Sequence, residues 1–200
     1  MKIKLYFLDL RDFSRYYEDI YNSLSVGRKT IVDEYPDIEE KIVHALSSWL
    51  IDKYSGEGEI LYSRYGKPYK NEKPYFNVAH SGNLVIIATS EKEVGIDIEL
   101  VKEYKQTLKL RAFNEEIGNK IKTNLDFYSY WTRKESLGKC VGTGLIWPVK
   151  DIPCEEGVVK YLNHDFYIKT NMLTEKYVLS ICSTEEFDFE IEELVSKQFF

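Results

Sequence analysis

Two hundred residues, 44% of them apolar, are enough to bury a full core as one large domain or two tightly packed halves, which excludes a disordered chain. A formal net charge of −6 without any Lys/Arg run excludes a general nucleic-acid or anionic-membrane binder, so an acidic partner must be met by a local patch. Cys140, Cys154 and Cys182 are odd in number and form no C-x-x-C pair, indicating neither a disulfide framework nor a zinc site. They suit a reducing cytoplasm. The stretch Met1 to Asp9 is too short and too soon interrupted by charge for a signal peptide, and no apolar run approaches bilayer length. The expectation is a soluble cytoplasmic protein.

Ile3, Leu5 and Phe7 alternate with Lys4 and Tyr6, which predicts an opening strand, and Asp12 to Leu24 carries aromatic and acidic residues at helical spacing. From Asp37, the positions Ile38, Ile42, Ala45, Leu46, Trp49 and Leu50 follow the pattern of a one-sided helix opened by Pro36 and ended before Gly56. A strand over residues 59–63 leads into Tyr65-Gly66-Lys67-Pro68, where Gly and Pro enforce a turn with Lys67 at its tip. Residues 75–80, 84–90 and 94–100, separated by short polar turns, read as a three-stranded antiparallel meander. Helical patterns follow over residues 108–122 and 126–141, with Asp126 as cap of the second, and strands over 157–162, 165–170, 176–183 and 187–194.

The chain echoes itself at a shift of 93 residues, which lays Val85 to Glu99 on Val178 to Glu192. Taken as a repeat, this gives an α+β chain of two pseudo-symmetric halves, 1–101 and 102–200, forming a single functional unit. Each half would then be an antiparallel three-stranded sheet packed with a long helix. A chance match of apolar alternation accounts for the echo equally well.

The stretch that stands out chemically is Gly95-Ile96-Asp97-Ile98-Glu99. In an extended chain Asp97 and Glu99 share a face, about 7 Å apart along the strand, with Ile96 and Ile98 turned to the core. Two ionised carboxylates roughly 5 Å apart at an effective dielectric near 20 repel by about 3 kcal/mol, and a divalent cation reverses the sign. A third acid, Glu135, lies on the later helix, where a four-residue spacing sets Trp131, Glu135 and Lys139 on one stripe. Each piece alone has an ordinary explanation. D-x-E on an alternating strand is usually a solvated face, Lys134-Glu135 a surface pair, His80 a turn residue, Lys67 an exposed turn lysine and Trp131 core.

Order and spacing together say more. Gly66-Lys67-Pro68, then Phe76-Asn77-Val78-Ala79-His80-Ser81-Gly82, then Gly95 to Glu99, then Phe127-Tyr128-x-x-Trp131-Thr132-x-Lys134-Glu135-Ser136-x-x-Lys139-x-x-Gly142-x-Gly144-Leu145 resembles the 4'-phosphopantetheinyl transferases of the Sfp type. The resemblance covers residues 60–145. It implies that Asp97, Glu99 and Glu135 hold Mg2+ against the pyrophosphate of coenzyme A, and that Lys139 contacts the pyrophosphate and assists the leaving phosphate. It implies further that Gly66, Lys67 and Pro68 lie against the adenine and that His80 contacts the phosphates. The acceptor is then a serine of an apo acyl or peptidyl carrier protein, with Glu116, or its neighbour Glu115, in the place of the proposed base.

Two features depart from that pattern. Ala79 replaces a serine common before the histidine, and the N-terminal region is poor in the basic residues that grip the 3'-phosphate, leaving Arg28, Lys29 and His44. A noncatalytic coenzyme-binding or carrier-binding module of the same fold is the competing reading. A metal-dependent phosphodiesterase or pyrophosphatase, using the same acids with water as acceptor, is a third, disfavoured by the presence of only three histidines. One chain holds every implied site residue, so the expectation is a monomer.

Overall fold

The structure is a computed structural model in which residues 1–145 and 148–200 are described. Strand β1 (Lys2–Asp9) opens the chain, with Ile3, Leu5 and Phe7 buried as their alternation requires. The helical pattern that follows is broken into α1 (Leu10–Phe13), a single 3-10 turn at Ser14–Tyr16 and α2 (Tyr17–Ser23). Helix α3 (Val26–Asp33), started by Ser25, was not expected from periodicity: Val26 and Gly27 at its head break the apolar stripe. Helix α4 (Ile38–Tyr54) is capped by Asp37, which accepts from Glu39 N at 2.7 Å. Its Ala45, Leu46 and Leu50 pack in one cluster with Val85 and Ile87.

A two-stranded ribbon, β2 (Leu61–Tyr62) with β3 (Pro68–Tyr69), carries the Gly66-Lys67-Pro68 turn. Then come β4 (Tyr75–Ser81), β5 (Leu84–Ser90) and β6 (Val94–Leu100). The expected helix over 108–122 is two helices, α5 (Gln106–Ala112) and α6 (Glu115–Lys120), split where Asn114 caps the second by accepting from Ile117 N at 2.9 Å. An asparagine that can bond the backbone ahead of it starts helices more readily than it continues them. Helix α7 (Asn124–Val141) begins one turn earlier than expected: Thr123 is the cap, and Asp126, expected there, is the reciprocal partner of a capping box. Strands β7 (Gly157–Tyr161), β8 (His164–Thr174), β9 (Tyr177–Ser183) and β10 (Asp188–Leu194) follow.

Pairing corrects the meander. β6 hydrogen-bonds antiparallel to β9 (Asp97 opposite Ser180), in a sheet of order β6-β9-β8-β7, while the other four-stranded sheet has the order β10-β1-β5-β4 with β10 parallel to β1. Neither sheet is confined to residues 1–101 or to 102–200, because the last strand of each stretch lies in the other's sheet. β5 and β9, equated by the 93-residue shift, both sit inside a sheet, but β6 and β10 have unlike neighbours, since β1 intervenes between β10 and β5. Alternation reads the same whichever strand lies alongside, so the exchange was invisible to periodicity.

The two sheets meet where β6 runs alongside β4. Ile96 N–H donates to Asn77 Oδ1 at 2.8 Å and Leu100 N–H to Ser81 Oγ at 3.1 Å, a constant offset of 19 residues that sets the strands parallel. Side chains of β4 thus stand where a neighbouring strand's carbonyls would. Each such bond contributes about 1 kcal/mol, and leaving a buried N–H unpaired costs more. Beyond the strand, the β4–β5 turn rests on Tyr177 of β9, whose hydroxyl accepts from Asn83 N at 3.0 Å. Gly82, at φ +53, has no room for a Cβ beside that hydroxyl. Among the described residues no helix is long and apolar enough to cross a membrane.

Helix α7 lies directly on β6 at Gly95, where a Cβ would fall on the Ser136 carbonyl oxygen and on Cys140 N, both backbone atoms of the helix. Gly95→Ala is therefore expected to lower stability by about 3 kcal/mol or more. Gly27→Ala, at a helical position with nothing within 4 Å, is expected to raise it by about 0.5 to 1 kcal/mol. Paired denaturant melts check both, and an unchanged midpoint for Gly95→Ala contradicts the close approach.

Candidate functional site

The seat of α7 on Gly95 fixes which residues come next along the contact. Two residues along β6, Asp97 Oδ1 receives a bond from Lys139 Nζ at 2.6 Å. Asp97 is 6% exposed, and burial raises its carboxyl to about 7; Lys139 pulls it back, while Glu135 and Glu99 push further up. Its other oxygen, Oδ2, is buried without a hydrogen-bond partner among the described residues. Burial draws Lys139 down, but Asp97, Glu135 and Glu99 outweigh it, so the ammonium is raised above its ordinary value. Glu135, half-buried, is raised chiefly by burial, with Lys139 and Glu99 as its charged neighbours. Glu99 accepts from Ser81 Oγ at 2.7 Å.

The three acids expected to meet are thus electrostatic neighbours around one lysine. They do not converge on a common ion position: among the described residues no three acidic, histidine or cysteine side chains do. Lys139, paired with Asp97, holds the positive charge there. The residues nonetheless fit a divalent cation. A buried carboxylate oxygen without a partner is costly unless something positive answers it, and Mg2+ takes oxygen ligands from a few carboxylates plus substrate phosphates.

Other expected residues gather at the edges. His80, at the surface end of β4, lies edge-on to His44 at 5.8 Å between ring centroids; desolvation, then His44 and Lys139, holds its imidazole below the usual range. Of the three basic candidates near the N-terminus, His44 is the one beside His80, stacked on Tyr35 at 3.6 Å. Arg28 is buried against Tyr62, and Lys29 donates to the Asn22 carbonyl. Gly66 closes a turn by donating to the Ser63 carbonyl at 2.9 Å. Lys67 is no free turn tip: it pairs with Glu93 at 3.1 Å and reaches the Cys140 carbonyl at the end of α7. A cleft of about 960 Å³ opens beside it, lined by Lys67, Lys70, Tyr75, Glu93, Gly142 and Tyr167 among others, though by none of the three acids.

One expectation changes. Lys134 is not a surface lysine: it is 1% exposed and donates to the carbonyls of Val149, at 2.9 Å, and Ile152, pinning the segment after α7. Glu116, the expected base, is exposed on α6 and paired with Lys120 at 2.7 Å, which lowers its pKa. Residues missed from sequence include Tyr128, raised by burial and then by Glu99, and Ser81; the one signal for both was their place inside the quoted motifs.

The family model of the 4'-phosphopantetheinyl transferase superfamily matches residues 93–182. The chain is 31% identical over 134 residues to a 4'-phosphopantetheinyl transferase of Bacillus subtilis, and 30% over 142 residues to one of Aneurinibacillus migulanus, covering 60% of each relative and 60% and 64% of this chain. To one of Bacillus pumilus it is 25% identical over 172 residues, 71% of that relative and 78% of this chain. The chain thus spans about 60% of the length of the first two. The stretch similar to the 4'-phosphopantetheinyl transferase superfamily thus contains β6, α7 and β9.

Proposed function

We propose that the chain transfers the 4'-phosphopantetheine group of coenzyme A to a serine hydroxyl of an apo acyl or peptidyl carrier protein, releasing adenosine 3',5'-bisphosphate in a magnesium-dependent reaction. The observation that carries this reading is Asp97, with its unpartnered buried oxygen, set beside Glu99, Glu135 and Lys139 at the β6–α7 contact. Asp97, Glu99 and Glu135 would hold the ion, which when bound neutralises their repulsion and withdraws charge from the pyrophosphate. Lys139, held protonated by its acidic neighbours, offers a full charge to the departing phosphate. His80, held neutral, donates one hydrogen bond rather than a charge.

Gly66, Lys67 and Pro68 are proposed to bear the adenine, with Lys67 tying that turn to the end of α7. Glu116 is the proposed base. Its carboxylate is exposed and paired with Lys120, which lowers its pKa and makes it a weaker base. A monomer in the cytoplasm is proposed; the chain's three cysteines are free and buried, which suits a reducing compartment.

Mass spectrometry of apo fatty-acid, polyketide and nonribosomal-peptide carrier domains, incubated with the protein, coenzyme A and Mg2+, tests the reaction. A gain of one phosphopantetheine is expected on at least one. Coenzyme binding without any gain would mean a noncatalytic binding module. Glu135→Gln keeps shape and removes charge; it is expected to lower kcat/KM about a thousandfold, since several kcal/mol rest on the ion and about 1.36 kcal/mol is tenfold. Near-normal magnesium-dependent turnover would contradict the assignment. Lys139→Ala is expected to lower kcat about a hundredfold with a smaller change in the KM for coenzyme A; equal losses in both would contradict a role at the leaving phosphate.

A further inference from the structure

We infer that Ser81 is a positioning residue for Glu99, and that the strength with which Glu99 holds a divalent cation depends on the Ser81 hydroxyl. The inference rests on the magnesium reading above and concerns a residue outside the expected site. Ser81 ends β4 and Glu99 lies near the end of β6, in different sheets. Ser81 Oγ accepts the Leu100 N–H at 3.1 Å and lies 2.7 Å from Glu99 Oε2. A hydroxyl has one proton and two lone pairs. With a lone pair turned to Leu100, the proton is directed at the carboxylate.

Asn77 provides the internal comparison. It occupies the equivalent place on β4, with the same 19-residue offset, and accepts from Ile96 N at 2.8 Å. Its bond serves the backbone. Ser81 serves the backbone and a functional carboxylate together, so strand spacing at the seam and the orientation of Glu99 are set by one atom. The need differs between the acids. Asp97 is short and enclosed, whereas Glu99 is half-exposed and longer by one rotatable bond, so it keeps rotamers that point away from the site unless something selects among them. Hydrogen bonds from neighbours to metal-binding carboxylates commonly govern affinity by ten- to a hundredfold.

The test titrates Mn2+ into the full chain with saturating coenzyme A, reading free Mn2+ by electron paramagnetic resonance, alongside coenzyme affinity measured without metal. Ser81→Ala is expected to weaken Mn2+ binding about tenfold with coenzyme affinity unchanged, and Ser81→Thr, which keeps the hydroxyl, to stay within about twofold of the unsubstituted chain. In a Glu99→Gln background Ser81→Ala is expected to add no further weakening. Should Ser81→Ala fail to fold, Ser81→Cys, similar in size but a weaker donor, is expected to weaken Mn2+ binding several-fold. Unchanged Mn2+ binding in Ser81→Ala, or an equal loss in the Glu99→Gln background, would overturn the positioning role and leave the proposed function standing. Absence of Mn2+ binding by the unsubstituted chain would overturn both.

Discussion

The structure depends on how closely α7 approaches β6. Without a side chain at Gly95, backbone rests on backbone, and the helix cannot slide or lift without opening that contact. Two pairs of helix residues four apart then fall along the strand, Ser136 and Cys140 at Gly95 and Glu135 and Lys139 beside Asp97. The helix is held at both ends: the Thr123–Asp126 capping box fixes its start, and buried Lys134 binds carbonyls of the segment that follows it. The same strand is fixed on its other side by Asn77 and Ser81, so β6 is registered from both sheets.

That registration matters because of what it concentrates. Burial raises the cost of ionising Asp97 and Glu135; Glu135 and Glu99 add to it at Asp97, and Glu99 adds to it at Glu135. Lys139 offsets the repulsion only in part: it bonds one oxygen of Asp97 and leaves the other without a partner. A lysine in this position stabilises the buried carboxylate. Relieving the repulsion at Asp97 by substitution with alanine would strand Lys139 among fewer anions, so that change costs stability as well as function, whereas Glu135→Gln leaves the Asp97–Lys139 pair intact.

Much of this was legible in the residues. The strands over 75–80, 84–90 and 94–100 lie where they were expected, and so does α4, whose Ala45, Leu46 and Leu50 are buried although Ile38 at its head is exposed. What could not be read depends on partners distant in sequence. Exchange of β6 and β10 between sheets leaves no trace in a period of two, and a Lys-Glu pair on a helix does not reveal that Lys134 faces inward and Glu135 faces the acids. Ser81 looked like a turn residue, because its role lies across a seam that exists only once the sheets are assembled. Glu116 was matched by its neighbours in sequence; in space its companion is Lys120.

The central claim is that one face of the β6–α7 contact accommodates a divalent cation against a pyrophosphate. A crystal structure with Mn2+ and coenzyme A, read by anomalous scattering, tests it most directly. The expected result is a Mn2+ peak within coordinating distance of Asp97 Oδ2, Glu99 and Glu135, with Lys139 turned from Asp97 toward a phosphate oxygen. A coenzyme bound elsewhere, or an ion absent from these carboxylates with the Lys139–Asp97 pair unchanged, would contradict it.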